Sequence, residues 1–330
     1  MPTQETLLAQ WLNVLTLGGG YNTNVVLFGV ALLGLAAGAV GSFAMLKKQS
    51  LVADAFAHAS LVGVAAAFLI HAQLHSRAGG PPERNMVVLL AGAGVAGALA
   101  VGAIEWLTRK TRLHADTATA AVSSASFGAG IAMLSIARRT SGADQAGLDS
   151  LIFGAASAMT RADTLAMGSL ALAAAVFTFI LFKPLRAVAF NVRFARTSGL
   201  PVGAIDAALG ALVAAVTLAG MQAVGMLLVV ALLVTPCAAA RLWTRAVGPL
   251  VALSAFLGAA SGVLGVSLSR VVPSVPTGAV VVLISAVFFV LSALLAPERG
   301  IVAGLRRERQ LRERIARELL TGPPSGEGPI

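Results

Sequence analysis

Seven uncharged apolar runs dominate this chain, and few folds can hold them. They cover Val25–Leu46, Met86–Ile104, Ala118–Ala137, Thr164–Phe182, Ala207–Ala240, Ala246–Ser269 and Val271–Pro297. About 20 apolar residues in helical form cross the hydrocarbon core of a bilayer, so most of these runs are single spans. The run from Ala207 is too long for one span and is expected to turn near Gly220-Met221-Gln222, giving two helices. Leu51–Ile70, apolar apart from Asp54, His58 and Ser60, brings the expected total to about nine. Strands of a membrane barrel alternate over about ten residues, and these runs are too long and continuous for that. The chain therefore reads as all-α, a polytopic transmembrane helix bundle.

Composition agrees with this. The sequence is 57% hydrophobic and only 12% charged, which suits an integral membrane protein and not a soluble domain. A formal net charge of +10 raises nucleic acid as a partner, but the basic residues lie between the spans and in the tail. There is one Tyr, and no basic stripe is interleaved with aromatics, so nucleic acid is excluded. The charge reports topology instead. With the N-terminus outside, the inner loops hold 11 Lys and Arg and the outer loops 6; the C-terminal tail raises the inner count to 18, completing the 24 in the chain. The positive-inside rule then gives an external N-terminus and a cytoplasmic C-terminus.

Residues 1–24 are expected to form an N-terminal interfacial segment, with Leu7, Leu8, Trp11, Leu12 and Leu15 on one helical face. Residues 25–297 form the transmembrane domain. Residues 298–330 form a basic amphipathic tail, with Leu311, Ile315 and Leu319 at four-residue spacing and a Gly/Pro-rich end expected to be disordered. Gly34/Gly38 and Gly258/Gly262 each make a GxxxG pattern, which lets helix backbones approach closely. Cys237 is the single cysteine, so an internal disulfide and a cysteine-rich metal cage are excluded.

Within Leu51–Ile70, Asp54 and His58 are four residues apart and leave the same helix face one turn apart. An Asp inside a span costs about 2.5–3.5 kcal/mol on insertion scales, so it needs a partner or a water-filled cavity. A carboxylate and an imidazole on one face make half of a divalent-metal site; the alternative is a hydrogen bond that stitches helices together. His71, His75 and His114 read as surface or loop histidines. The sequence carries no GxxxxGK[ST] phosphate loop, no GxSxG and no HExxH, so energy for transport must come from another subunit or an ion gradient.

Four stretches in chain order carry a family resemblance. Leu51-Val52-Ala53-Asp54-Ala55-Phe56-Ala57-His58-Ala59 follows the first span, and Leu151-Ile152-Phe153-Gly154 precedes the fifth. Phe190–Gly199 reads Phe-Asn-Val-Arg-Phe-Ala-Arg-Thr-Ser-Gly, and Val224–Pro236 with Ala238–Arg241 forms the last. Together they resemble the membrane permease subunits of ABC importers for manganese, zinc and iron. The resemblance implies a permease domain over residues 25–297 in the bacterial cytoplasmic (inner) membrane, with no permanently bound cofactor and a transported divalent metal. It implies ABC ATPase subunits, a second permease subunit and an extracytoplasmic metal-binding protein as partners. It makes Asp54 and His58 the metal residues, and Asn191, Arg193, Phe194, Ala195, Arg196 and Gly199 the ATPase-coupling loop. Asn191 stands where the family usually has Asp, and Cys237 where it usually has Ala. The long basic tail is more like the manganese- and iron-handling branch. Two other classes stay open at this point: a proton-coupled secondary metal transporter using an Asp–His relay, and a non-transporting membrane scaffold.

Overall fold

The computed structural model describes residues 9, 11–14, 16, 18–47, 50–78, 86–140, 159–271, 275–297 and 300–303, and every described element of regular structure is helical. In chain order the helices are α1 (Tyr21–Leu46), α2 (Ser50–Ala78), α3 (Met86–Lys110), α4 (Ala115–Thr140), α5 (Arg161–Ile180) and α6 (Phe182–Phe190). They continue with α7 (Val192–Thr197), α8 (Val202–Ala223), α9 (Met226–Trp243), α10 (Val247–Val271) and α11 (Thr277–Leu295). Among the described residues, eight helices are long and apolar enough to cross a membrane, and α9 adds a shorter apolar stretch, Val229–Trp243. These nine apolar helices match the sequence expectation. Leu151–Gly154 and nearly all of the basic tail lie outside the described residues.

α1 is the central column, and its glycines explain why. A β-carbon on Gly34 would overlap the Gly258 carbonyl of α10, one on Gly38 would overlap the Ser254 carbonyl, and one on Gly262 would crowd the Val30 carbonyl. The two GxxxG patterns of the sequence are thus one seam, each supplying the gap the other's backbone fills. Ser42 and Ser254 both donate to the Gly38 carbonyl at 2.8 Å, so the contact is polar as well as close. Thr164 of α5 donates to the Val25 carbonyl at 2.9 Å, which ties α5 to the same column. α5 itself starts at a capping box in which Thr160 and Asp163 satisfy each other's backbone N–H groups.

The long run from Ala207 does break into two helices, but later than Gly220-Met221-Gln222. Gly220 stays helical and Gly225 makes the turn, at φ 99°, a left-handed conformation that suits glycine. The N–H groups of Val224 and Gly225 both reach the Gly220 carbonyl, at 2.8 and 3.2 Å. Gly220 lacks a side chain for a different reason: a β-carbon there would overlap Val229 of α9. At the N-terminal end, the Trp11 indole N–H donates to Ser267 of α10 at 3.1 Å.

Two packing units result. The main core gathers buried residues of α1 and α5–α11. The second unit is α2, α3 and α4, with its own apolar clusters around Leu61, Val64, Leu89 and Leu134 and around Ala55, Ile104 and Ala118. Within it, Gly63 and Gly92 let α2 and α3 touch through their backbones, and Gly130 admits Leu61 of α2 against α4.

The seam makes a direct prediction. Gly38→Ala should lower the thermal midpoint of the detergent-solubilised protein, because overpacking of this kind costs about 1–3 kcal/mol. Gly102→Ala, where an added β-carbon meets open space, should hold or raise it. Equal midpoints for the two variants would mean the seam is not tight.

Candidate metal path and coupling surface

α2 begins at Ser50, so Asp54 and His58 lie in its first third, one and two turns from its start. Their side chains meet, with His58 Nε2 3.4 Å from Asp54 Oδ1. α4 supplies the rest of the surroundings, again one turn apart: Ser123 donates to Asp54 Oδ2 at 2.9 Å, and Phe127 sets its ring edge-on to His58 with centroids 5.0 Å apart. Each carboxylate oxygen thus has one neighbour, and the imidazole is held against an aromatic wall. Sequence reasoning named Asp54 and His58 but neither Ser123 nor Phe127. The only available signal was their shared i, i+4 spacing on the next-but-one span.

The pair is not enclosed by its own chain. The Asp54 side chain keeps 38% of its surface exposed and His58 20%. Beside it, α4 turns Ala120, Ala121, Ser124, Ala125 and Gly128 outward together with Phe127 and Ile131, a face on which small residues outnumber the bulky apolar ones. A carboxylate left facing hydrocarbon is costly, so this side of the protein belongs to water or to another polypeptide. Among the described residues no group of three or more His, Cys, Asp or Glu side chains gathers. One chain offers a metal a carboxylate, an imidazole and a hydroxyl.

The other histidines are elsewhere. His71 is on α2, about 20 Å along the helix from His58; His75 is near the far end of α2; exposed His114 lies between α3 and α4. Cys237 is fully buried, its thiol 3.1 Å from the Met45 sulfur of α1.

Asn191, Arg193, Phe194, Ala195, Arg196 and Gly199 form a separate surface. Asn191 caps α7 by accepting from the Phe194 N–H at 3.0 Å, a neutral hydrogen bond that does the capping without a charge. α7 ends at Gly199, φ 77°. The Leu200 N–H reaches the Ala195 carbonyl and the Gly199 N–H the Arg196 carbonyl, both at 3.1 Å, the Schellman pattern that needs a left-handed residue there. Ala195 is buried, while Phe190 and Phe194 are more than 60% exposed and Val192 is 40% exposed. Arg193 and Arg196 are exposed among them. The piece is a rigid knob with apolar and cationic groups turned outward.

Residues 21–296, the whole of this helical bundle, match the family described as the ABC 3 transport family. The chain belongs to the ABC 3 transport family. It is a multi-pass protein of the bacterial inner membrane, as its apolar helices and this family require. It is 34% identical over 297 residues to the manganese transport system membrane protein of Bacillus subtilis, covering 90% of this chain and 66% of that protein. It is 33% identical over 291 residues to the zinc transport system membrane protein of Treponema pallidum, covering 88% of this chain and 94% of that one. Among solved structures, PsaBC from Streptococcus pneumoniae in complex with Fab aligns with a TM-score of 0.73 and 29% identity, covering 88% of this chain and 97% of that one.

Proposed function

We propose that this ABC 3 transport protein is the permease subunit of an ATP-driven importer for a divalent transition metal, and that Asp54 and His58 are ligands on the metal's path. The observation that carries this is the Asp54–His58 pair itself, partly exposed inside a membrane-spanning helix of a chain from this family. Carboxylate and imidazole together suit borderline ions such as Mn²⁺, Fe²⁺ and Zn²⁺, and the relatives are named for manganese and zinc transport. The basic tail favours manganese or iron.

Two protein ligands do not make a site, and that argues for a second permease subunit, identical or paralogous. A two-fold axis beside the small-residue face of α4 brings two carboxylates and two imidazoles together. An extracytoplasmic metal-binding protein delivers the ion, and separate ABC ATPase subunits supply the energy. The surface around α7 is their docking site: exposed Phe190, Val192 and Phe194 flanked by Arg193 and Arg196 fit a partner's apolar groove with an acidic rim. The chain runs with its N-terminus outside and its C-terminus in the cytoplasm, supported by the basic residues of the inner loops. That orientation puts Asp54 and His58 in the inner third of the path and α7 on the cytoplasmic side.

Radiometal uptake into proteoliposomes, normalised to folded protein, tests the site. Asp54→Ala and His58→Ala should each abolish uptake, and Ser123→Ala should weaken it by about tenfold, the usual effect of removing a group that orients a ligand. Normal uptake in both ligand variants would end the metal-path reading. Reversing Arg193 and Arg196 to Glu together should leave membrane insertion intact while ATP hydrolysis no longer drives uptake; wild-type coupling there would remove α7 from the docking surface. Reporter fusions after Lys48 and Arg112 and at Arg299 should read cytoplasmic, and one at Gly80 external. An external Arg299 would overturn the orientation.

A further inference from the structure

The metal pair and the docking surface sit in different packing units. Asp54 and His58 belong to α2, whose apolar partners are mostly those of the α2–α4 unit; Ala53 is the one α2 residue in the main core. α6 and α7 are seated in the main core through Leu185, Val188 and Ala195. Movement at α7 must therefore cross from one unit to the other to reach the metal.

α8 is built to make that crossing. It follows α7 after Ser198, Gly199, Leu200 and Pro201, a short link stiffened by the Schellman turn and the proline. Its first two-thirds, through Val202, Ile205, Leu209, Val213 and Val216, lie in the main core. Leu218 and Met221 at its far end pack into the α2–α4 unit. One turn into α8, Asp206 accepts from the Lys47 ammonium. Lys47 closes α1, its N–H bonded to the Phe43 carbonyl at 3.0 Å, and α2 starts three residues later. The chain from Lys47 to Ser50 spans at most about 10 Å, and Asp54 follows about 6 Å along α2.

Exposure makes the pair unusual. A lysine at the end of a span ordinarily extends toward water, yet the Lys47 side chain is only 6% exposed, while Asp206 is 37% exposed. The ammonium is turned inward onto the carboxylate, joining the end of α1 to the first turns of α8.

We propose that the Lys47–Asp206 ion pair is the joint that passes movement of α7 and α8 to the start of α2, and so to Asp54 and His58. Both residues are positioning residues: neither touches the metal. This rests on the transporter reading above, and the experiment separates the two. The full importer, with its ATPase and binding protein, is reconstituted with Mn²⁺, and metal moved per ATP hydrolysed is measured beside the thermal midpoint. If the wild type shows no metal-dependent ATP hydrolysis or uptake, the transporter reading fails, and with it this one. If the wild type couples, Lys47→Met should keep ATP hydrolysis within twofold and lose at least tenfold in metal moved per ATP. Lys47→Arg, which keeps the charge and the reach, should restore the ratio. A folded Lys47→Met protein with the wild-type ratio overturns the proposal. Should that variant misfold, the uncharged double variant Lys47→Met with Asp206→Leu leaves no orphaned buried charge. A folded double variant with a low ratio supports the joint. A normal ratio, or failure of the double variant to fold, makes the pair purely structural and overturns it.

Discussion

In lipid, two helices gain little by burying apolar side chains against each other, because the acyl tails are as apolar as leucine. What holds α1 to α10 is the approach of bare backbone at Gly34, Gly38, Gly258 and Gly262, with the Ser42 and Ser254 hydroxyls both on the Gly38 carbonyl. Everything else is arranged around that seam. α5 fastens to α1 through Thr164, α9 reaches it where Gly41 meets the Leu233 carbonyl, and α11 leans on α9 and α10. The result is a closely packed post. The α2–α4 unit, with separate apolar clusters, stands beside it and carries the Asp54–His58 pair.

Much of this was legible because the signals are local. Apolar runs fixed by lipid thickness located the spans, the GxxxG patterns flagged close packing, and Asp54 with His58 stood out because polar groups are rare inside spans. Asn191 and Gly199 bound the short helix α7 through capping chemistry that depends on a few neighbouring residues.

The rest depends on contacts between residues distant in sequence. Ser123 and Phe127 are ordinary residues of an apolar run, and only the packing of α4 on α2 turns them toward Asp54 and His58. Lys47 and Asp206 lie 159 positions apart; alone, one reads as an inner-loop cation and the other as an interfacial acid. The break falls at Gly225, a few residues past Gly220-Met221-Gln222, for a related reason. Both are glycines in an apolar run, and it takes the position of Val229 to show that Gly220 is kept small for packing while Gly225 makes the bend.

In the proposed function, incompleteness of the site within one chain is an asset. A divalent ion held by a full set of ligands on one rigid helix would be stored, since nothing could withdraw the ligands without unfolding the helix. With one carboxylate and one imidazole per chain, binding strength depends on how closely two chains face each other, and a shift of one α2 relative to its counterpart weakens all the bonds at once. The α2–α4 unit suits such a shift: its apolar clusters are distinct from the main core, and few contacts tie α2 to α1. A path that must bind and then release is better served by ligands on a movable unit than by a tighter cage. The same logic places the control of that unit at its attachment to the post, where Lys47 ends α1 and Asp206 begins the helix that follows α7.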